Sequence, residues 1–185
     1  MVVCERQNCK NKKASIATRL AVLGVLTALL EAIKWALNVL PNVELVTLLC
    51  ALYGFCFGPI SVVSVGLFVV IETLWWGINT WVLEYFIHFP LICLMFAFFK
   101  KLGINKIWVF TLFAVLITIS FGFFTSFVDV VIPVGFYDFP KRYVVYYMRG
   151  ILFYIVHVVC NFVVFSILFR PIEKLFTRLI EAIGF

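Results

Sequence analysis

The chain's 185 residues are 65% hydrophobic, 22 of them Phe, with a mean hydropathy of +1.14. Soluble domains carry about 45–50% apolar residues, so this composition excludes a soluble protein and leaves almost no chain for a soluble domain beside an integral membrane one. The net charge of +6 raises nucleic acid as a partner, but the basic residues sit in short clusters between apolar runs, where they set membrane topology instead.

Residues 1–13 read as a basic cytosolic tail carrying Arg6, Lys10, Lys12 and Lys13. Cys4 and Cys9 form a C-x4-C pair there, without the second pair that a zinc site needs, so no metal is expected. The basic run leads straight into a first apolar helix, 14–40, with no A-x-A-like site to follow, so that helix is expected to stay. It stops at Pro41-Asn42. A second helix is predicted over 43–57, and Gly58-Pro59 turns the chain into a third over 60–79. The fourth runs over 82–99, the fifth over 107–132 and the sixth over 143–169. Beyond Arg170-Pro171, charged and apolar residues alternate at helical spacing, which predicts a short amphipathic helix, 171–185, on the cytosolic surface. The predicted fold is therefore an all-α integral membrane protein with six transmembrane helices in one domain, 14–170.

Arg19 with the N-terminal lysines, then Lys100, Lys101 and Lys106, then Arg170, Lys174 and Arg178 mark three cytoplasmic positions. Both termini are thus expected in the cytoplasm of a multi-pass plasma-membrane protein. The outward segments are LPNVE, INTWVLE and PVGFYDFPKR. The second helix is short for a bilayer and the fifth long, which implies an irregular, tilted bundle. No internal repeat suggests an inverted-repeat transporter.

Ionisable groups inside a span cost about 2.5–3.5 kcal/mol at a helix centre, so each needs a reason. Arg149, Phe153, His157 and Asn161 recur at steps of four along the sixth helix. Glu72, Trp75, Trp76 and Asn79 recur toward the outer end of the third, and the fourth opens with Glu84, Tyr85 and His88 ahead of Pro90. A cavity open to the outside, lined by aromatic faces and a few polar groups, explains all of them. The competing explanations are an interfacial aromatic belt for Trp and Tyr, a snorkelling Arg149, and helix-to-helix hydrogen bonds for His157 and Asn161. Trp75, Trp76, Trp81, Tyr85, Tyr146 and Tyr147 favour a ring-containing ligand. Its charge stays open, because Lys141, Arg142 and Arg149 suit an anion while Glu72, Glu84 and Asp138 suit a cation.

On the first helix Ala28, Ala32 and Ala36 repeat at steps of four, as do Ala17 and Ala21. Small-x-x-x-small faces allow close helix approach, and this one suits either internal packing or a partner protein. No phosphate-binding loop, G-x-S-x-G, H-E-x-x-H or dinucleotide fingerprint occurs. Glu84 and His88, with His157, are too few to imply a metal.

The basic tail, the A-x-x-x-A face, LPNVELV, YGFCFGP and the closing NFVVFSILFRPIEKL together resemble the substrate-binding S component of energy-coupling factor (ECF) vitamin transporters, over almost the whole chain. The resemblance implies a non-enzymatic ABC importer subunit that captures a vitamin or related micronutrient outside. It would then reorient against a membrane scaffold protein, with ATP used by two partner ATPases and no cofactor bound by this chain. It further implies that Ala28 and Ala32, or else Ala17 and Ala21, dock the scaffold. The first outer loop, 40–44, and the loop before helix six would close over the ligand, and helices four to six would supply most contacts. Arg149, His157 and Asn161 would then line the substrate cavity. Two other classes remain: a membrane enzyme using Glu72, Glu84, His88 or His157 as acid and base on a lipid-like substrate, and a structural protein whose polar stripes only join helices.

Overall fold

The computed structural model describes residues 14–40 and 43–185; the basic segment 1–13, with Cys4 and Cys9, and Pro41-Asn42 lie outside the described residues. The described chain is all-helical: α1 Ile16–Leu37, α2 Val46–Phe57, α3 Val62–Trp76, α4 Thr80–Lys101, α5 Ile107–Val134 and α6 Phe139–Ile183, with a 3-10 turn, Pro59–Ser61, leading into α3. Five of these are long and apolar enough to cross a membrane, taking the 3-10 turn with α3 as one span; α2, with 12 residues, is too short.

That short helix forms the middle of the bundle. Every α2 residue except Cys56 is buried, because α2 packs on α4, α6 and α1 while α1, α3, α4, α5 and α6 follow one another around it. Its closest approach is to α4. A Cβ on Gly54 would lie 1.8 Å from the Cys93 carbonyl oxygen, so only glycine lets the two backbones meet there.

Around α2, one half of the bundle is packed with phenylalanine. Phe55, Phe96, Phe110, Phe165 and Phe169 are all at most 2% exposed. Their rings meet at centroid separations from 4.8 Å, Phe110 to Phe169, to 6.0 Å, Phe165 to Phe169, mostly tilted or edge-on as aromatic quadrupoles prefer. The cationic residues Lys100 and Arg170 lie over Phe55 and Phe110 at this end.

The last stretch differs from the separate amphipathic helix that the sequence predicts. Helix α6 continues through Pro171 to Ile183 without a break. At about 1.5 Å per residue it is about 67 Å long, more than a bilayer core needs. Phe176 explains the continuation: it is buried against Tyr53 and Phe57, at 5.8 and 5.5 Å, so the tail is fastened to the end of α2. Ala14 N–H also donates to the Gly184 carbonyl at 2.7 Å, joining the two ends of the described chain.

Helices α5 and α6 pair antiparallel along most of their length. Between Phe110 and Val130 the buried α5 residues are Thr111, Ala114, Thr118, Gly122 and Ser126, a small-residue face of the kind that lets membrane helices approach closely. Tyr154 fills the space this creates, its ring against Gly122 and Gly150 and its hydroxyl 3.0 Å from Ser126 Oγ.

Candidate ligand-binding site

A cavity of about 170 Å³ opens in the half of the bundle away from Lys100 and Arg170. The end of α1 and the link to α2 supply Lys34, Asn38, Leu40, Val43 and Glu44; α3 supplies Phe68, α4 Tyr85, His88 and Phe89, α5 Phe121 and α6 His157. The wall is mainly apolar, built from the rings of Phe68, Tyr85, Phe89 and Phe121 and from aliphatic side chains such as Leu37 and Val46, with a few polar atoms reaching into it, as small-molecule sites commonly are.

Glu44 is the best-anchored polar group. It precedes α2, where the first backbone N–H groups have no helical partner. Its Oε2 accepts the Thr47 N–H at 3.0 Å, and Oε1 accepts the Thr47 hydroxyl at 2.5 Å. Glu44 Oε1 also lies 2.9 Å from His157 Nε2, linking the α1–α2 connection to α6 across 113 residues of sequence. Burial alone would push this carboxyl upward, but the bonds from His157 and Thr47 outweigh it and hold Glu44 well below the usual carboxylate range. Glu44 is therefore an anion at neutral pH.

Opposite stands Lys34, whose ammonium is paired with Glu72 of α3. Glu72 has no exposed surface, so without Lys34 it would be an uncompensated buried charge. On the same cavity wall sits His88, 7% exposed, with its ring 4.5 Å from that of Phe121. Its Nε2 finds no hydrogen-bond partner among the described residues. A buried polar atom left open at a cavity wall is a place for a ligand atom, since leaving it unmade is costly.

Compared with known protein families, curated proteins and solved structures, the chain matches none.

The expected ligand residues divide on placement. Tyr85, His88 and His157 line the cavity, and Glu72 reaches it through Lys34. Arg149, Tyr146 and Phe153 do not line it: all three are exposed on α6. A step of four residues turns a helix 40° past a full turn. The stripe therefore drifts, and only its later members His157, Asn161, Phe165 and Phe169 are covered. Asn161 lies between helices and not in the cavity, donating from Nδ2 to Thr118 Oγ1 at 2.9 Å. Glu84 accepts the Thr125 hydroxyl at 2.5 Å on the α4–α5 interface. Trp76 is exposed, stacked on Trp35 at 6.0 Å, and Asn79 donates to the Trp76 carbonyl at 2.7 Å.

The loop before α6 is tied down by the start of α6 and the end of α5. Arg142 donates to the carbonyls of Val130 at 2.8 Å and Tyr137 at 3.1 Å, and none of its residues lines the cavity. Lys34, Phe68, Phe89 and Phe121 escape the sequence reading altogether. A lone lysine near a helix end reads as an interfacial snorkeller, and a Phe among 22 carries no signal. On α1, internal packing uses Leu23, Leu26, Thr27 and Leu30. Ala17, Ala21, Ala28 and Ala32 all lie on its exposed side.

Proposed function

We propose that this protein is a membrane-embedded solute-binding subunit of the ECF S-component kind, which takes up a vitamin-sized molecule in the cavity beside Glu44, His88 and His157. The observation that carries the reading is the open Nε2 of buried His88 in a largely apolar cavity where Glu44 is already held by Thr47 and His157. The cavity's position also favours capture from outside. On α4, α5 and α6 the residues around it lie three turns or more along the helix from Lys100, Lys106 and Arg170, whose clustering reads as cytoplasmic.

Delivery would then need a partner. The sequence carries no phosphate-binding loop, and the outward-facing row Ala17, Ala21, Ala28 and Ala32 offers a smooth α1 surface on which a scaffold helix can pack.

Native mass spectrometry of the chain purified alone in mild detergent tests the proposal. A retained small molecule is expected, and adding that molecule at about a hundredfold over its Kd should stabilise the fold by about 2.7 kcal/mol. An empty protein that also gains no thermal stability from vitamins and nucleobases would overturn it.

A further inference from the structure

The surroundings of Lys34 have the chemistry of a cation receptor. Its Nζ lies 4.8 Å from the ring centroid of Tyr85, 5.1 Å from Trp81 and 5.6 Å from Phe68, each within the roughly 6 Å over which a ring face attracts a cation. The carboxylate of Glu72, fully buried, closes the arrangement. The rings are held from behind: Tyr85 packs on Trp81 at 5.3 Å and on Phe89 at 4.6 Å, and Phe68 on Phe89 at 5.9 Å. Three aromatic faces and one acid around a single ammonium form the kind of cage that recognises amines and quaternary ammonium groups.

We propose that Phe68, Trp81, Tyr85 and Glu72 form a cation-binding box which the empty protein fills with its own Lys34, and that the ligand is a small organic ammonium that takes the place of that side chain. This deepens the binding-protein reading and rests on it. Lys34, Phe68 and Tyr85 already line the cavity, so withdrawal of the lysine would extend the cavity to Trp81 and Glu72. Lys34 is placed to withdraw. It belongs to the last turn of α1, and its side chain retains 21% exposure, so its long stem can carry the ammonium outward to water.

The charge of the incoming molecule follows from what Lys34 leaves behind. Glu72 would stand unpaired and buried among negative ring faces. Glu31, one turn before Lys34, adds two carboxylate oxygens that are buried without hydrogen-bond partners among the described residues. A neutral or anionic molecule would not compensate these acids; an ammonium would.

Choline and its uncharged isostere 3,3-dimethylbutan-1-ol separate charge from shape. With the full chain in detergent, choline should raise the Tm saturably and the isostere should not. Lys34→Met should bind choline at least tenfold more tightly, because the competing side chain is gone. Trp81→Leu in the otherwise unchanged protein should weaken choline at least fivefold, and this decides the matter if Lys34→Met fails to fold. Equal effects of choline and isostere, or unchanged choline affinity in folded Lys34→Met or in Trp81→Leu, would overturn the box.

An ammonium also comes on lipid headgroups. Repeating the titration in nanodiscs of phosphatidylglycerol and of phosphatidylcholine separates the sources: competition by phosphatidylcholine assigns the box to a headgroup, and its absence to a free solute, either supporting the cation chemistry. An anionic molecule co-purifying with the protein would overturn the box while leaving the binding-protein reading intact.

Discussion

The two halves of the bundle solve opposite problems with the same helices. Around Phe55, Phe96, Phe110 and Phe169 the side chains meet ring against ring with no exposed surface beyond 2%. Around Tyr85, His88 and His157 the same helices α4, α5 and α6 part to leave a cavity, and ionisable groups from α1, the α1–α2 link and α3 reach into it. Close packing in one half lets the other keep a cavity with a few costly polar atoms in its wall, the unpartnered His88 Nε2 among them.

The contact of α2 with α4 underlies both halves, and breaking it should have the largest effect. Gly54→Ala places a Cβ on the Cys93 carbonyl, and with backbone on both sides the strain should reach about 3 kcal/mol or more. The expected result is loss of the monodisperse peak in fluorescence size-exclusion chromatography. Next comes Phe169→Ala in the packed half, where truncating a fully buried ring should cost about 3–5 kcal/mol. Its thermal melt should shift strongly downward while the stabilisation by ligand stays that of the unaltered protein. An equal loss of ligand response would mean that the halves are not separable.

In the cavity half the effects should be smaller in stability and larger in binding. Glu44→Ala removes an anion bonded to Thr47 and His157 and should cost about 1.5–3 kcal/mol, with ligand affinity falling at least tenfold by isothermal titration. His88→Leu should do something that no substitution in the packed half can: stabilise the empty protein by about 1 kcal/mol, because an unpartnered buried nitrogen disappears, while abolishing the shift on adding ligand. A destabilised empty His88→Leu protein would show that Nε2 is satisfied. Arg149→Ala, on the exposed flank of α6, should stay within about 0.5 kcal/mol and leave affinity unchanged; a binding loss there would place the ligand elsewhere.

Much of this architecture is legible in the amino-acid order. Apolar runs and their Gly-Pro and Pro-Asn interruptions mark six helices close to where they lie, because helix length and turn chemistry are local properties. The sequence counts the second helix, though short, among six transmembrane ones; its 12-residue length and its burial among its neighbours are seen only in the folded chain. Pro171 misleads as a helix end because the burial of Phe176 against Tyr53 and Phe57 outweighs one lost backbone bond.

The candidate site is less legible, and for a physical reason. Composition and periodicity identify which residues are expensive in a membrane: Glu72, Glu84, His88, His157, Asn161. They do not say how each is compensated. Partners 38 residues apart for Lys34 and Glu72, 113 for Glu44 and His157, and 43 for Thr118 and Asn161 depend on how the helices rotate and pack. So the chain by itself determined an all-helical membrane protein with costly polar groups. Tertiary packing alone decided that Asn161 and Glu84 join helices, that Arg149 faces outward, and that Lys34, Glu44, His88 and His157 surround a cavity.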